Sequence, residues 1–145
     1  METARKLQLF LVLGFLILSA CRTTSVVKRV NGTEMIVRMS EIKIYPDSLT
    51  AYKAILNEEA EASVRLEPGV ISIFPMYQQK DSTQIRILEI YSNSEAYQSH
   101  IKTAHFLKYK NSTLSMVKEL RLIDMTATDP ETMRKIFSKL KKLNL

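Results

Sequence analysis

The sequence predicts an α+β domain built in the order β-α-β-β-α-β. Three observations predict it. Four stretches, 35–45, 70–77, 84–91 and 115–125, carry the β-branched, alternating pattern of half-buried strands. A stripe of apolar residues spaced by three and four separates the first two. A short polar turn, rather than a helix, separates the second from the third. That order is the ferredoxin-like arrangement, and 145 residues suit one such domain with short additions.

In the first strand, "MIVRMSEIKIY", Ile36, Ile42 and Ile44 share one side, with Val37, Met39 and Tyr45 on the other. Pro46-Asp47-Ser48 stops it and offers a helix N-cap. Leu49, Tyr52, Ile55, Leu56, Ser63 and Leu66 then form the buried stripe of a helix that exposes Lys53, Asn57, Glu58, Glu61 and Arg65. Glu67-Pro68-Gly69 ends it. In "VISIFPMY", Pro75 marks an edge strand or a bulge, because proline cannot donate to a ladder. "QQKDST" turns the chain into "QIRILEIY". Ser94 is placed to cap a helix containing Ala96, Tyr97 and Ile101, and a second helical piece runs through Phe106, Tyr109 and Leu114. "SMVKELRLIDM" closes the sheet. The strand at 84–91 is apolar on both faces, interrupted only by Arg86 and Glu89. Two short helices cover one face of such a sheet, so a second copy of the chain is expected on the other, making a homodimer.

Both ends differ from this body. "METARKLQLFLVLGFLILSAC" begins with Arg5 and Lys6 and is apolar from Leu7 to Leu18 apart from Gln8. As a helix, that run reaches about 18 Å, too short for a hydrocarbon core of about 30 Å, and reads as an export signal over 1–21. Leu18-Ser19-Ala20-Cys21 resembles the lipobox of bacterial lipoproteins, which implies that Cys21, the sole cysteine, is lipidated and becomes the mature N-terminus. Arg22 follows it rather than the aspartate of inner-membrane retention, which favours the outer membrane of the envelope. Residues 22–34 read as a polar tether and 35–127 as the domain. Residues 128–145 read as a basic amphipathic helix capped by Asp129, with Pro130 in its first position and Met133, Ile136, Phe137 and Leu140 on one face. Packing of that face on the domain or its dimer mate is the expected arrangement, and contact with anionic lipid the other reading.

The formal charge of +6 is concentrated at the ends: residues 22–130 hold 14 Lys and Arg against 13 Asp and Glu, and 131–145 hold five against one. A near-neutral body lacks a phosphate-binding face, so no nucleic-acid partner is expected. Three glycines leave no room for a nucleotide-binding glycine loop, and no nucleophile triad signature occurs. The two histidines, His100 and His105, stand five apart, about 140° around a continuous helix. That spacing does not suit a dedicated His-based metal site, so none is expected.

"EPGVISI" followed by "ILEIYSNSEAYQSHIKTAHFLKYK" resembles the antibiotic biosynthesis monooxygenase family of small dimeric α/β-barrel proteins. The shared features are Glu67-Pro68-Gly69, Glu89 with Tyr91 two residues on, Ala96, and the pair His100 and His105 with Phe106. The resemblance spans about 35–125 and implies cofactor-free oxidation of a quinol or polyphenol-like small aromatic molecule by O2. It implies His100 and His105 as proton-transfer residues, an ordinary pKa of about 6.5 suiting histidine to that task. Tyr91, Phe106, Ser40 and Glu89 are then the substrate pocket. Haem-degrading relatives carry an asparagine, a tryptophan and a ligating histidine where this chain has Ser40, His100 and Lys110, so haem degradation is not expected. An isomerase relative acting on a phosphorylated signalling molecule shares the histidine spacing. Isomerisation, or ligand binding without catalysis, therefore stands as the alternative.

Overall fold

The computed structural model describes residues 35–143; the signal, lipidation and tether expectations for 1–34 lie outside the described residues. Four strands, β1 (Ile36–Ile44), β2 (Val70–Gln78), β3 (Asp81–Tyr91) and β4 (Val117–Met125), form one antiparallel sheet in the order β2-β3-β1-β4. Helix α1 (Leu49–Leu66) joins β1 to β2, and α2 (Ser94–His100) with α3 (Ala104–Thr113) joins β3 to β4. The chain is therefore an α+β ferredoxin-like sandwich, with α4 (Glu131–Lys142) appended. Pro75 does sit on an edge strand, β2, where its missing N–H breaks no second ladder.

Strand alternation sorts the sheet into two faces. On the helix side, Ile42, Ile44, Ile73, Ile85, Ile87 and Tyr91 are buried against Tyr52, Leu56 and Ala60 of α1. On the far side the register pairs Met39 with Leu88 and Ile123, and Phe74 with Leu88. Phe74 and Met125 there are 57% and 50% exposed. Helix α1 packs on β2 and α3, and α2 on β2 and β3. No described helix packs closely on β4, so Leu120 and Leu122, although on the helix side, remain more than half exposed.

Several local expectations shift. Ser48 precedes α1 but makes no side-chain cap, because a single turn at Pro46–Ser48 already leads into the helix. Asn93, not Ser94, caps α2, its side chain accepting from the Ala96 amide at 2.8 Å. Leu66 is exposed, whereas Glu59 is buried in the α1 stripe. Asp129 caps α4 through the Glu131 amide and the Thr132 hydroxyl as expected. The apolar side of α4 does not pack on the domain: Ile136, Phe137 and Leu140 are 48%, 45% and 39% exposed.

Gly69 explains why the turn after α1 has its composition. A Cβ added there would lie 2.4 Å from the Cβ of Ala96 and 3.2 Å from Ser92 Oγ. The backbone on either side is tied by the Val70 amide to the Glu67 carbonyl and the Ser92 amide to the Gly69 carbonyl, at 3.0 and 2.8 Å. Gly69→Ala must therefore push α2 away, at a cost of about 1–3 kcal/mol for overpacking. Thermal melting is expected to show that loss, and Gly69→Ala/Ala96→Gly to regain part of it. Equal melting of Gly69→Ala and wild type would refute the close-packing account.

Candidate active site

The incomplete covering of the sheet leaves a cavity of about 390 Å³ between its helix side and α1, α2 and α3. Ile42, Ile73, Ile87, Phe106, Leu120 and Leu122 supply apolar wall. Leu114, Leu120 and Leu122, all exposed, leave an apolar mouth beside β4. The polar lining is Ser40 and Glu89 from neighbouring strands, Tyr91, Glu59 from α1, His100 from α2, and Tyr109 with Lys110 from α3. Arg38 also lines it, paired with Asp124 at 2.7 Å and stacked over Tyr97 with its guanidinium carbon 4.8 Å from the ring centroid.

Two hydrogen-bonded groups organise the polar side. In the first, the Ser40 hydroxyl donates to Glu89 Oε1 and the Tyr91 hydroxyl to Glu89 Oε2, the latter at 2.9 Å. In the second, Glu67 Oε1 stands 3.0 Å from His100 Nδ1 and 2.6 Å from His105 Nε2. A carboxylate oxygen only accepts, so both rings donate to it. His100 thus keeps its proton on Nδ1 and leaves a lone pair on Nε2, which stands 3.7 Å from Glu59 Oε1. The His100 ring is wedged among Phe106, Tyr91 and His105, with centroids 4.8, 5.3 and 6.4 Å away.

Burial tunes the rest. The Tyr91 phenol is raised far above its usual range by burial, reinforced by Glu89. Burial likewise raises Tyr52, and it pushes Tyr109 up to about 12 despite its 2.7 Å hydrogen bond with Tyr52. These phenols stay neutral at physiological pH. Burial also raises the Glu59 carboxyl, opposed by the Ser63 hydroxyl and by His100.

All four expected pocket residues, Tyr91, Phe106, Ser40 and Glu89, line the cavity, as does His100. His105 does not; its side chain, 20% exposed, reaches Glu67 from the outer side. The angular argument that separated the two histidines fails, because the helix is not continuous. The Thr103 hydroxyl donates to the His100 carbonyl at 2.8 Å and its side chain caps α3 at the Phe106 amide, so the chain breaks at 101–103 and the rings converge. The residue reading did not find Glu59, Tyr109 or the clamp role of Glu67. A signal for Glu59 was present: 52, 56, 59, 60 and 63 continue the buried stripe of α1.

The fold is an antiparallel sheet half-covered by helices, with a largely apolar cavity at whose polar end a histidine is hydrogen-bonded to a carboxylate. Sequence comparison makes this specific. The profile of the family described as "Antibiotic biosynthesis monooxygenase" matches residues 35–112, and the chain belongs to that family. A solved structure from Bacteroides thetaiotaomicron, whose name assigns it to the same family, is 46% identical. Its TM-score is 0.68, with 69% of this chain and 95% of that one covered. Similarly named structures from Nitrosomonas europaea and Caulobacter crescentus share the fold at 22% and 16% identity. Their TM-scores are 0.63 and 0.62, over 67% and 66% of this chain and 93% and 92% of theirs. No curated protein matches. Family and relatives place the chain among proteins classed as monooxygenases.

Glu59 gives this site a pH signature. A carboxyl raised by folding holds its proton to higher pH than in the unfolded chain. Its contribution to stability is therefore fully present below the ordinary carboxyl value of 4.5 and is lost as pH rises through the folded value. Urea denaturation from pH 4 to 7 is expected to show a steeper fall in stability for wild type than for Glu59→Gln. Parallel profiles would overturn the assignment.

Proposed function

We propose that the protein is a monooxygenase that oxidises a quinol or polyphenol-like molecule in this cavity, with His100 as the base. The observation that carries this reading is the Glu67 hydrogen bond to His100 Nδ1. It turns the basic Nε2 toward the side of the ring where Glu59 and the cavity lie, and it stabilises the imidazolium that forms. The apolar walls hold an aromatic body, and Glu59 and Glu89 accept from its hydroxyls. Proton removal makes the ring electron-rich enough to transfer electrons to O2. For a hydroquinone the balance is substrate plus O2 giving the hydroxyquinone plus water: one oxygen atom enters the ring and the other leaves as water. The proton taken by His100 returns to the departing oxygen. His105 acts through Glu67 as a positioning residue at the outer end of the chain His100–Glu67–His105.

Oxygen uptake by the full chain in mild detergent, across a panel of hydroquinones, tests the reading. A substrate should be found whose turnover falls by about 10²–10⁴ in His100→Ala, the usual worth of a general base. Unchanged uptake in that variant, or none with any phenol, would overturn it.

We also place this activity at the bacterial cell envelope in a homodimer. The support is Leu18-Ser19-Ala20-Cys21 as a lipidation site and the apolar outer sheet face carrying Phe74, Met39, Leu88 and Met125. Acyl chains contribute about 0.8 kcal/mol per buried methylene to membrane association. Cys21→Ala should move the protein from the membrane fraction to the soluble one, where sedimentation should show a dimer. Continued membrane association would refute the lipid anchor, and a monomer the dimer.

A further inference from the structure

Glu67, His100 and His105 come from the end of α1, the last residue of α2 and the second residue of α3, and one donor atom from each lies within 4.8 Å of the other two. We propose that these three side chains form a binding site for a divalent ion of the zinc type, and that occupation of this site switches off His100 as a base. The switching half rests on the oxidation reading; the binding half does not.

The donor set selects the ion. Two imidazoles and one carboxylate suit zinc and its neighbours, whereas magnesium and calcium prefer oxygen-only shells. Zinc bonds of about 2.0–2.2 Å in a tetrahedron put donor atoms roughly 3.3 Å apart. Glu67 Oε1 stands 3.0 and 2.6 Å from the two ring nitrogens, so a slight opening of the cluster admits an ion in place of the two hydrogen-bonding protons. Water completes the fourth position. Access is from the outer side, where the His105 side chain is 20% exposed, while those of His100 and Glu67 are 3% and 12% exposed.

An outer carboxylate is also in place. A ligating histidine typically gives its other N–H to such a group. Glu59 Oε1, 3.7 Å from His100 Nε2, is the group positioned to receive it. This is also why the ion inhibits. Ligation at Nδ1 consumes that lone pair and moves the ring proton to Nε2, the atom that the oxidation requires free. The ion sits behind the ring, on the side of Glu67 and His105, and binds without entering the cavity.

The test is competition between a chromophoric chelator and the full chain in detergent, after chelation and dialysis. One Zn²⁺ per chain is expected, with affinity lowered more than about tenfold in Glu67→Gln and in His105→Gln, since even outer-shell changes cost 10–100-fold. Circular dichroism checks that both variants fold, and His105→Gln, at a partly exposed position, remains informative if Glu67→Gln does not. Cobalt substitution should give d–d bands of a nitrogen- and oxygen-ligated four-coordinate ion. No stoichiometric binding, or binding unaffected by a folded variant, would overturn the site. If binding holds but zinc leaves turnover unchanged with a hydroquinone that is oxidised, the switch fails while the oxidation reading stands. If no hydroquinone is oxidised, that reading fails while the ion site stands on binding alone.

Discussion

The close contact between Gly69 and Ala96 is the constraint on which the site depends. With only hydrogen at Gly69, the start of β2 and the first turn of α2 approach within side-chain-free distance. That approach sets where α2 starts against the sheet. His100 is its last residue, and Glu67 lies just before the same turn. A two-residue step from Glu67 to Gly69 thus links a packing contact to the Glu67–His100 hydrogen bond. It gives one physical reason for the joint presence of Glu67-Pro68-Gly69, Ala96 and His100 in the motif. Two of these residues set the distance and two use it.

The cavity is a consequence of unequal layers. Four strands span more width than α1, α2 and α3 cover, and β4 receives no closely packed helix. In a tighter fold Leu120 and Leu122 would meet a helix; here they line an opening. On the far side, alternation places Phe74, Met39 and Leu88 together, with Phe74 57% exposed. The helix-side gap is small and lined by both acids and hydrophobes, which suits a small ligand. The far side joins an apolar patch of Met39, Leu88, Phe74 and Ile123 to a charged one in which Glu41 pairs with Arg86 and Arg121 at 3.5 and 3.4 Å.

Strand order, hairpin, edge proline and both sheet faces were legible because period-2 alternation reports burial directly. The pocket residues Ser40, Glu89 and Tyr91 were legible through their place in the family motif. What was not legible arose where polar side chains act against pattern. Glu59 sits in an apolar stripe because Ser63, one turn on, donates to it at 2.7 Å. The meeting of His100 and His105 depends on Thr103 ending one helix and capping the next, a choice local to three residues that helical spacing averages away. The half-exposed apolar side of α4 shows the same limit: amphipathicity says that a face wants cover, not what supplies it.

The polar chemistry of the cavity is biased toward acceptors. Its phenols are held neutral, and the Tyr91 hydroxyl is committed to Glu89. Of its two cations, Arg38 is paired with Asp124 and stacked on the Tyr97 ring, while Lys110 stands on α3. On the proposed reading, Glu59, Glu89 and Nε2 of His100 meet the hydroxyls of the substrate. The carboxylate of Glu67 stands behind His100 rather than in front of it, so it strengthens the base without competing for the ligand proton. A neutral acceptor there would fix the same tautomer but would not stabilise the imidazolium. On the proposed reading, glutamate at position 67 suits a histidine that gains a proton during its work.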